Sequence, residues 1–171
     1  MNIELRSILP SVVFLGVAAA IALFLTFNRG WAERDRTRTR RAVQIALVAI
    51  LSQAVHFSEE LSTGFYERFP ALFGLPPMSL RFFVSFNLAW LVIWSLCAWG
   101  LATRRRAALF PLWFLGIASI ANGIAHPSFS VLAGGYFPGL VTSPVVGILG
   151  VLLLQRLLLL TRPADSPAGA A

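Results

Sequence analysis

The chain has only two histidines, and each lies beside other polar residues at the end of an apolar stretch. His56 is followed three and four residues later by Glu59 and Glu60, and Asn122 precedes His126 by four residues. Residues three or four apart lie on one side of a helix. Because ionisable groups within apolar helices are costly, this pattern indicates a functional site.

Two imidazoles and one or two carboxylates are a suitable ligand set for a divalent metal ion, either zinc or non-haem iron with open positions. We therefore predict His56, Glu60 and His126 as metal ligands. Glu59 and Glu60 are candidate catalytic acid/base groups, with Glu59 alternatively in a supporting position. Asn122 is predicted to orient His126 or to stabilise an oxyanion.

Simpler interpretations of the same residues stay open. A histidine at a helix end often bonds a carbonyl, and the two glutamates could be solvated outside the headgroups. In a metal-free site, one carboxyl of the pair would keep its proton, or an arginine from the interface would neutralise the pair. Arg68 and Arg81 are the candidates for that arginine.

The elements that carry these residues are predicted to be membrane-spanning helices. Of the 171 residues, 57% are hydrophobic and 12% are charged, with a mean hydropathy of +0.77, whereas soluble domains have about 25% charged residues. A spanning helix needs about 20 mainly apolar residues. The sequence predicts an all-α bundle in one transmembrane domain, residues 1–171, with spans at about 9–27, 42–61, 82–101, 107–126 and 140–160.

The connecting segments have distinct compositions. Residues 62–80 mix aromatic and charged side chains, which predicts a short interfacial segment. Residues 127–139 carry no charge and are rich in glycine and proline, which predicts a turn-rich loop that re-enters or caps the bundle. The polar residues 162–171 are predicted to be a frayed tail. The single cysteine, Cys97, excludes a disulfide within the chain and is predicted to be an apolar filler.

The fourteen basic residues are all arginine, and most lie in three places: between the first and second spans, between the third and fourth spans, and after the fifth span. By the positive-inside rule, this predicts the cytoplasmic membrane, with the N-terminus outside and the C-terminus cytoplasmic. Because the arginines are not accompanied by stacking aromatics, the lipid bilayer rather than a nucleic acid is the predicted partner.

Both histidine motifs are predicted to reach the same leaflet. A rise of about 1.5 Å per residue places Glu60 about 28 Å from Arg41 and His126 about 30 Å from Arg106. Both therefore lie near the outer side. Thr142 lies on that side, at the start of the fifth span. Asn87 lies a turn or two below the outer end of the third span. Both are predicted to be interhelical hydrogen-bond partners more often than ligands.

The motifs resemble those of the HXXEE family, which comprises bacterial and archaeal membrane proteins of unknown function. The resemblance spans most of the chain and rests on three ordered motifs, H-x-x-E-E, N-x-x-x-H and P-G-x-x-T, found here as His56, Glu59 and Glu60, then Asn122 and His126, then Pro138, Gly139 and Thr142. A weaker resemblance, in residue inventory alone, is to the membrane-embedded CAAX-prenyl-protease group, which activates a water for peptide hydrolysis.

The leading functional hypothesis is a metal-dependent hydrolase whose site near the outer leaflet acts on a lipid-linked or membrane-bound substrate. One alternative is a small transporter or ion-binding protein that uses the glutamate pair, although no inverted repeat is visible. Another is an accessory membrane subunit whose carboxylates pair with the arginines of a partner. The sequence identifies no partner protein.

Overall fold

A computed structural model of the chain describes residues 3–33 and 35–163. Within these ranges the chain forms six α-helices, with one 3-10 turn at Arg106–Ala108. Two three-residue strands flank the bundle, β1 at Arg29–Trp31 and β2 at Thr161–Pro163. The helices are α1 Ile3–Asn28, α2 Arg36–Ser62, α3 Phe65–Ala71, α4 Leu80–Ala102, α5 Leu109–Leu132 and α6 Ser143–Leu160.

All of these helices except the short α3 are long and apolar enough to cross a membrane, which makes five candidate spans in the described residues. Large apolar side chains on their outer faces are exposed, including Phe24, Val92 and Ile148. Such surfaces are stable in lipid and unfavourable in water. The predicted all-α membrane bundle is confirmed, and the chain is a multi-pass membrane protein.

The predicted loop at residues 127–139 is wrong in its first half, because α5 continues to Leu132 through Pro127. Proline removes one helical hydrogen bond, yet membrane helices tolerate it where nearby groups compensate. The fifth span also begins later than predicted, with α6 starting at Ser143 after a turn at 138–142.

The prediction of a frayed tail is wrong for its first residues. Strand β2 pairs antiparallel with β1, with Gly30 opposite Arg162, and the Arg29 side chain donates to the Thr161 hydroxyl at 2.9 Å. The pairing satisfies backbone groups where α1 ends and α6 ends. The rest of the predicted tail, residues 164–171, lies outside the described residues.

Helix α5 forms the centre of the bundle and packs against α6, α1 and α4, while α2 packs against α6 and α4. Small residues bring α5 and α6 together: a Cβ atom on Gly123 would lie 2.8 Å from the Gly147 Cα, and one on Gly150 would lie 2.7 Å from the Gly116 carbonyl oxygen. Close backbone approach through such residues is typical of membrane helix pairs. This packing fixes α5 against the start of α6.

The two ends of the bundle differ in composition. One end, here called the basic end, carries β1, β2, the start of α2 and the turn before α5, with arginines at 36, 38, 40, 41 and 104–106. The other end, here called the site end, carries the end of α2, α3, the start of α4, the end of α5 and the turn before α6. Aromatic side chains pack there around Phe69, Phe129 and Phe137.

Candidate metal centre

Three buried side chains converge at the site end. His56 and Glu60 lie one turn apart on α2, and His126 reaches them from α5. The Glu60 Oε1 atom lies 3.5 Å from His56 Nε2 and 3.4 Å from His126 Nε2. His56, Glu60 and His126 are exposed by 0%, 6% and 2% respectively as whole residues, and their ligand atoms lie within 4.8 Å of one another.

Hydrogen bonding determines the tautomer of His126. Its Nδ1 atom lies 2.6 Å from the carbonyl oxygen of Pro138. A carbonyl oxygen can only accept, so Nδ1 carries the hydrogen and donates it. In the neutral imidazole, Nε2 then has a free lone pair, and this atom is the one that lies near Glu60 Oε1.

The tautomer of His56 is set in the same way, through a hydroxyl. Thr142 Oγ1 lies 2.5 Å from Glu59 Oε2 and 2.7 Å from His56 Nδ1. The hydroxyl has one hydrogen, and an ionised carboxylate only accepts, so Thr142 donates to Glu59 and accepts from His56 Nδ1. The His56 Nε2 atom therefore has a free lone pair, and it is buried without a hydrogen-bond partner among the described residues.

The centre thus brings together two imidazole lone pairs and a carboxylate oxygen, all of which are electron-pair donors. Such an arrangement is unfavourable unless a cation lies between them or the Glu60 carboxyl keeps its proton and donates it. Ligand atoms bonded to a tetrahedral zinc ion at about 2.0–2.1 Å lie about 3.4 Å apart, which matches the two distances from Glu60. Orientation of each ligating histidine by a hydrogen bond from its other nitrogen is also a common feature of metal sites. His56, Glu60 and His126 form a group that could hold a metal ion.

Glu59 lies next to this group but points towards the turn before α6. Its carboxylate accepts hydrogen bonds from the Tyr136 hydroxyl at 2.7 Å, the Val141 amide at 3.0 Å, the Thr142 amide at 2.9 Å and the Thr142 hydroxyl. Desolvation and the bond to Glu59 raise the pKa of the Tyr136 phenol, which keeps it protonated as a donor. Glu59 therefore ties the turn to α2.

A glycine allows the turn to pass directly over the two imidazoles. Gly139 has a φ of +84°, and a Cβ atom there would lie 2.5 Å from His126 Cε1 and 2.8 Å from His56 Cε1. These separations are far shorter than van der Waals contact. Glycine is required both for this backbone conformation and for this close approach.

Other polar residues singled out from the sequence take different positions. The carbonyl of Pro138, rather than Asn122, orients His126. Asn122 and Asn87 line a cavity in the bundle, and the Asn87 side chain donates within its own helix to the Phe83 carbonyl at 2.9 Å. Arg68 donates to the Tyr136 carbonyl at 2.9 Å rather than to the glutamate pair.

Sequence reasoning missed the contributions of Pro138 and Tyr136. The signal for Pro138 was present, because a Pro-Gly pair three residues before Thr142 marks a tight turn at the head of the fifth span. Tyr136 lies in an exposed stretch that has no distinguishing pattern. Its role depends on how far the turn folds back over α2.

The fold and the centre together define a multi-pass helical membrane protein with a buried histidine–glutamate cluster. No protein-family model, curated protein or solved structure matches the chain. The chemistry of the centre is therefore the guide to the function.

Proposed function

We propose that the chain is a metal-dependent membrane hydrolase in which His56, Glu60 and His126 bind one divalent ion, zinc or iron. The observation that carries this proposal is the convergence of three electron-pair donors, two of them imidazole nitrogens whose protons are held on the opposite side of the ring. A bound ion would supply an activated water and would polarise a carbonyl or phosphoryl oxygen. The substrate is lipid-linked or membrane-bound.

The residues of the chain contribute binding and orientation. Glu59 positions Thr142, and Thr142 positions His56, so Glu59 acts as a positioning residue rather than as the acid/base group. This assignment is supported by the four donors around its carboxylate. The Asn122 amide lines the same cavity as Glu60 and His126, and its proposed role is to donate to a developing oxyanion.

We further propose that the centre lies near the outer leaflet of the cytoplasmic membrane. The support is the concentration of arginines at the basic end, opposite the centre, because basic loops are retained on the cytoplasmic side. Membership of the HXXEE family is proposed on the three ordered motifs. The structure groups seven of their eight residues around the centre or the turn over it, and Asn122 lines the adjoining cavity.

Metal analysis of the purified protein tests the proposal. After incubation with zinc or with ferrous iron and removal of unbound ion, the wild type is expected to retain about one ion per chain, as the single set of ligands implies. His126→Ala and Glu60→Gln are expected to lose most of it, while Glu67→Gln, a change to an exposed carboxylate on α3, serves as the control. Absence of stoichiometric metal, or retention unaffected by His126→Ala, would refute the proposal.

A further inference from the structure

A cavity of about 410 Å³ extends from the candidate centre into the bundle. Glu60 and His126 form part of its wall, and they are its only titratable lining residues in the part of the chain that the structure describes. The remaining wall is mostly aromatic and aliphatic, including Phe83, Trp94 and Phe114. The volume is typical of small-molecule sites, which range over about 300–1,000 Å³.

The depth of the cavity matches one leaflet. Twelve residues of α5 separate His126 from Phe114 along the wall, which corresponds to about 18 Å at 1.5 Å per residue. Half of a hydrocarbon core about 30 Å thick is about 15 Å. A lipid chain that starts at the centre would therefore end near Phe114 and Trp94.

The arrangement of α1 and α4 offers a path from the membrane. Both helices line the cavity, α1 through Phe14 and Leu15 and α4 through Phe86 and Trp90. Helix α1 packs mainly on α5, and α4 packs on α2 and α5, rather than on each other. Because α1 and α4 are not closely packed on each other, we expect a hydrocarbon chain from the surrounding lipid to enter between them.

We infer that this cavity binds a single hydrocarbon chain of a membrane lipid, with the polar end of the lipid at Glu60 and His126 and the tail near Trp94 and Phe114. The apolar wall favours hydrocarbon over a sugar or a charged peptide. Among the described lining residues, the ionisable groups Glu60 and His126 both lie at one end, which fixes the direction of the hydrocarbon chain. Identification of this lipid as the substrate rests on the proposed function, whereas binding of the hydrocarbon chain in the cavity does not.

Tryptophan quenching tests the binding of the chain. Trp94 lines the cavity and is 6% exposed, while Trp113 is 0% exposed and lies outside the described lining. Two variants, each with one of these tryptophans and the other four replaced by phenylalanine, are reconstituted in vesicles. Vesicles containing either phosphatidylcholine or a free fatty acid, brominated near the chain end, distinguish a phospholipid chain from a single-chain lipid.

Trp94 is expected to be quenched at least twofold more than Trp113 by one or both probes. Bromines near the chain end are expected to quench Trp94 more than bromines near the carboxyl group, because the tail lies deepest. Equal, weak quenching of both tryptophans by both probes would overturn the inference.

A matched pair of substitutions on α5 tests the location of the chain. Ala121→Phe places a phenyl ring at the cavity wall, whereas Ile124→Phe places the same ring at a position that is 66% exposed on the outer face. The first is expected to reduce quenching of Trp94 by at least half, and the second to leave it unchanged. An equal response to both substitutions would contradict binding in the cavity.

Two further measurements separate this inference from the proposed function. Native mass spectrometry is expected to show one retained lipid per wild-type polypeptide and loss of that lipid in Ala121→Phe. This measurement does not depend on the folding of any tryptophan variant. Quenching is also repeated after chelation and in His126→Ala. Quenching of Trp94 that persists without metal supports hydrocarbon binding in the cavity even if the metal proposal fails. Metal binding without selective quenching of Trp94 refutes hydrocarbon binding in the cavity and leaves the metal proposal intact.

Discussion

Thr142 Oγ1 lies 2.7 Å from His56 Nδ1 and joins the start of α6 to a candidate ligand on α2. The same hydroxyl donates to Glu59 Oε2 at 2.5 Å. This relay assigns the imidazole proton to Nδ1 and leaves Nε2 free to face Glu60. The availability of His56 as a ligand therefore depends on a residue 86 positions away in the sequence.

Replacing Thr142 with valine removes the hydroxyl while keeping a similar shape. The proton of His56 is then no longer held on Nδ1, and we expect zinc affinity to fall about 10–100-fold, as is usual when the hydrogen-bond partner of a ligating histidine is lost. Thr142→Ser keeps the hydroxyl and should remain close to wild type. Isothermal titration with zinc measures both; equal affinities for the two variants would rule out this orienting role.

Glu59→Gln tests whether the carboxylate holds the turn before α6. Hydrogen bonds to charged groups contribute about 1.5–3 kcal/mol each, so hydrogen exchange at the Val141 and Thr142 amides should accelerate at least about tenfold. Glu67→Gln removes an exposed carboxylate elsewhere at the same end and should leave this exchange unchanged. Unaltered exchange in Glu59→Gln would show that other contacts hold the turn.

The fold was largely predictable because lipid imposes a simple rule: a segment that crosses it must be apolar over about 20 residues. The observed fold differs from the prediction at places that this rule does not cover. Pro127 predicts a helix end in water, yet α5 continues through it. The pairing of Gly30 with Arg162 joins the two ends of the chain, and no local pattern encodes such a distant contact.

The candidate centre was predictable in its members and not in its supporting contacts. Helix length alone carries His56, Glu60 and His126 to the same depth. Which residues orient the imidazoles depends on the path of the turn before α6, set by the positive φ of Gly139. That path brings the Pro138 carbonyl to His126 and leaves Asn122 in the cavity wall.

The proposed orientation can be tested by labelling single cysteines in intact cells. In a Cys97→Ser background, cysteine is introduced at Gly135, in the exposed turn at the site end, or at Thr37, exposed at the basic end. A membrane-impermeant maleimide is expected to label position 135 in intact cells and position 37 only after permeabilisation. The opposite pattern would place the centre at the cytoplasmic leaflet.

Gly139→Ala is expected to disrupt the centre through steric overlap, because the added Cβ would lie 2.5 Å from His126 and 2.8 Å from His56. Gly134→Ala is the matched control: its φ of +67° imposes a similar backbone cost of about 1–2 kcal/mol, but no described atom lies within 4 Å of the new Cβ. We expect Gly134→Ala to keep its metal and to lose only the stability that corresponds to this backbone cost.

Gly139→Ala should lose the metal and a further 1 kcal/mol or more of stability, roughly the effect of overpacking a core. Metal content and thermal unfolding in detergent measure both effects. Equal behaviour of the two variants would mean that the turn can lift away from the histidines without cost to the centre.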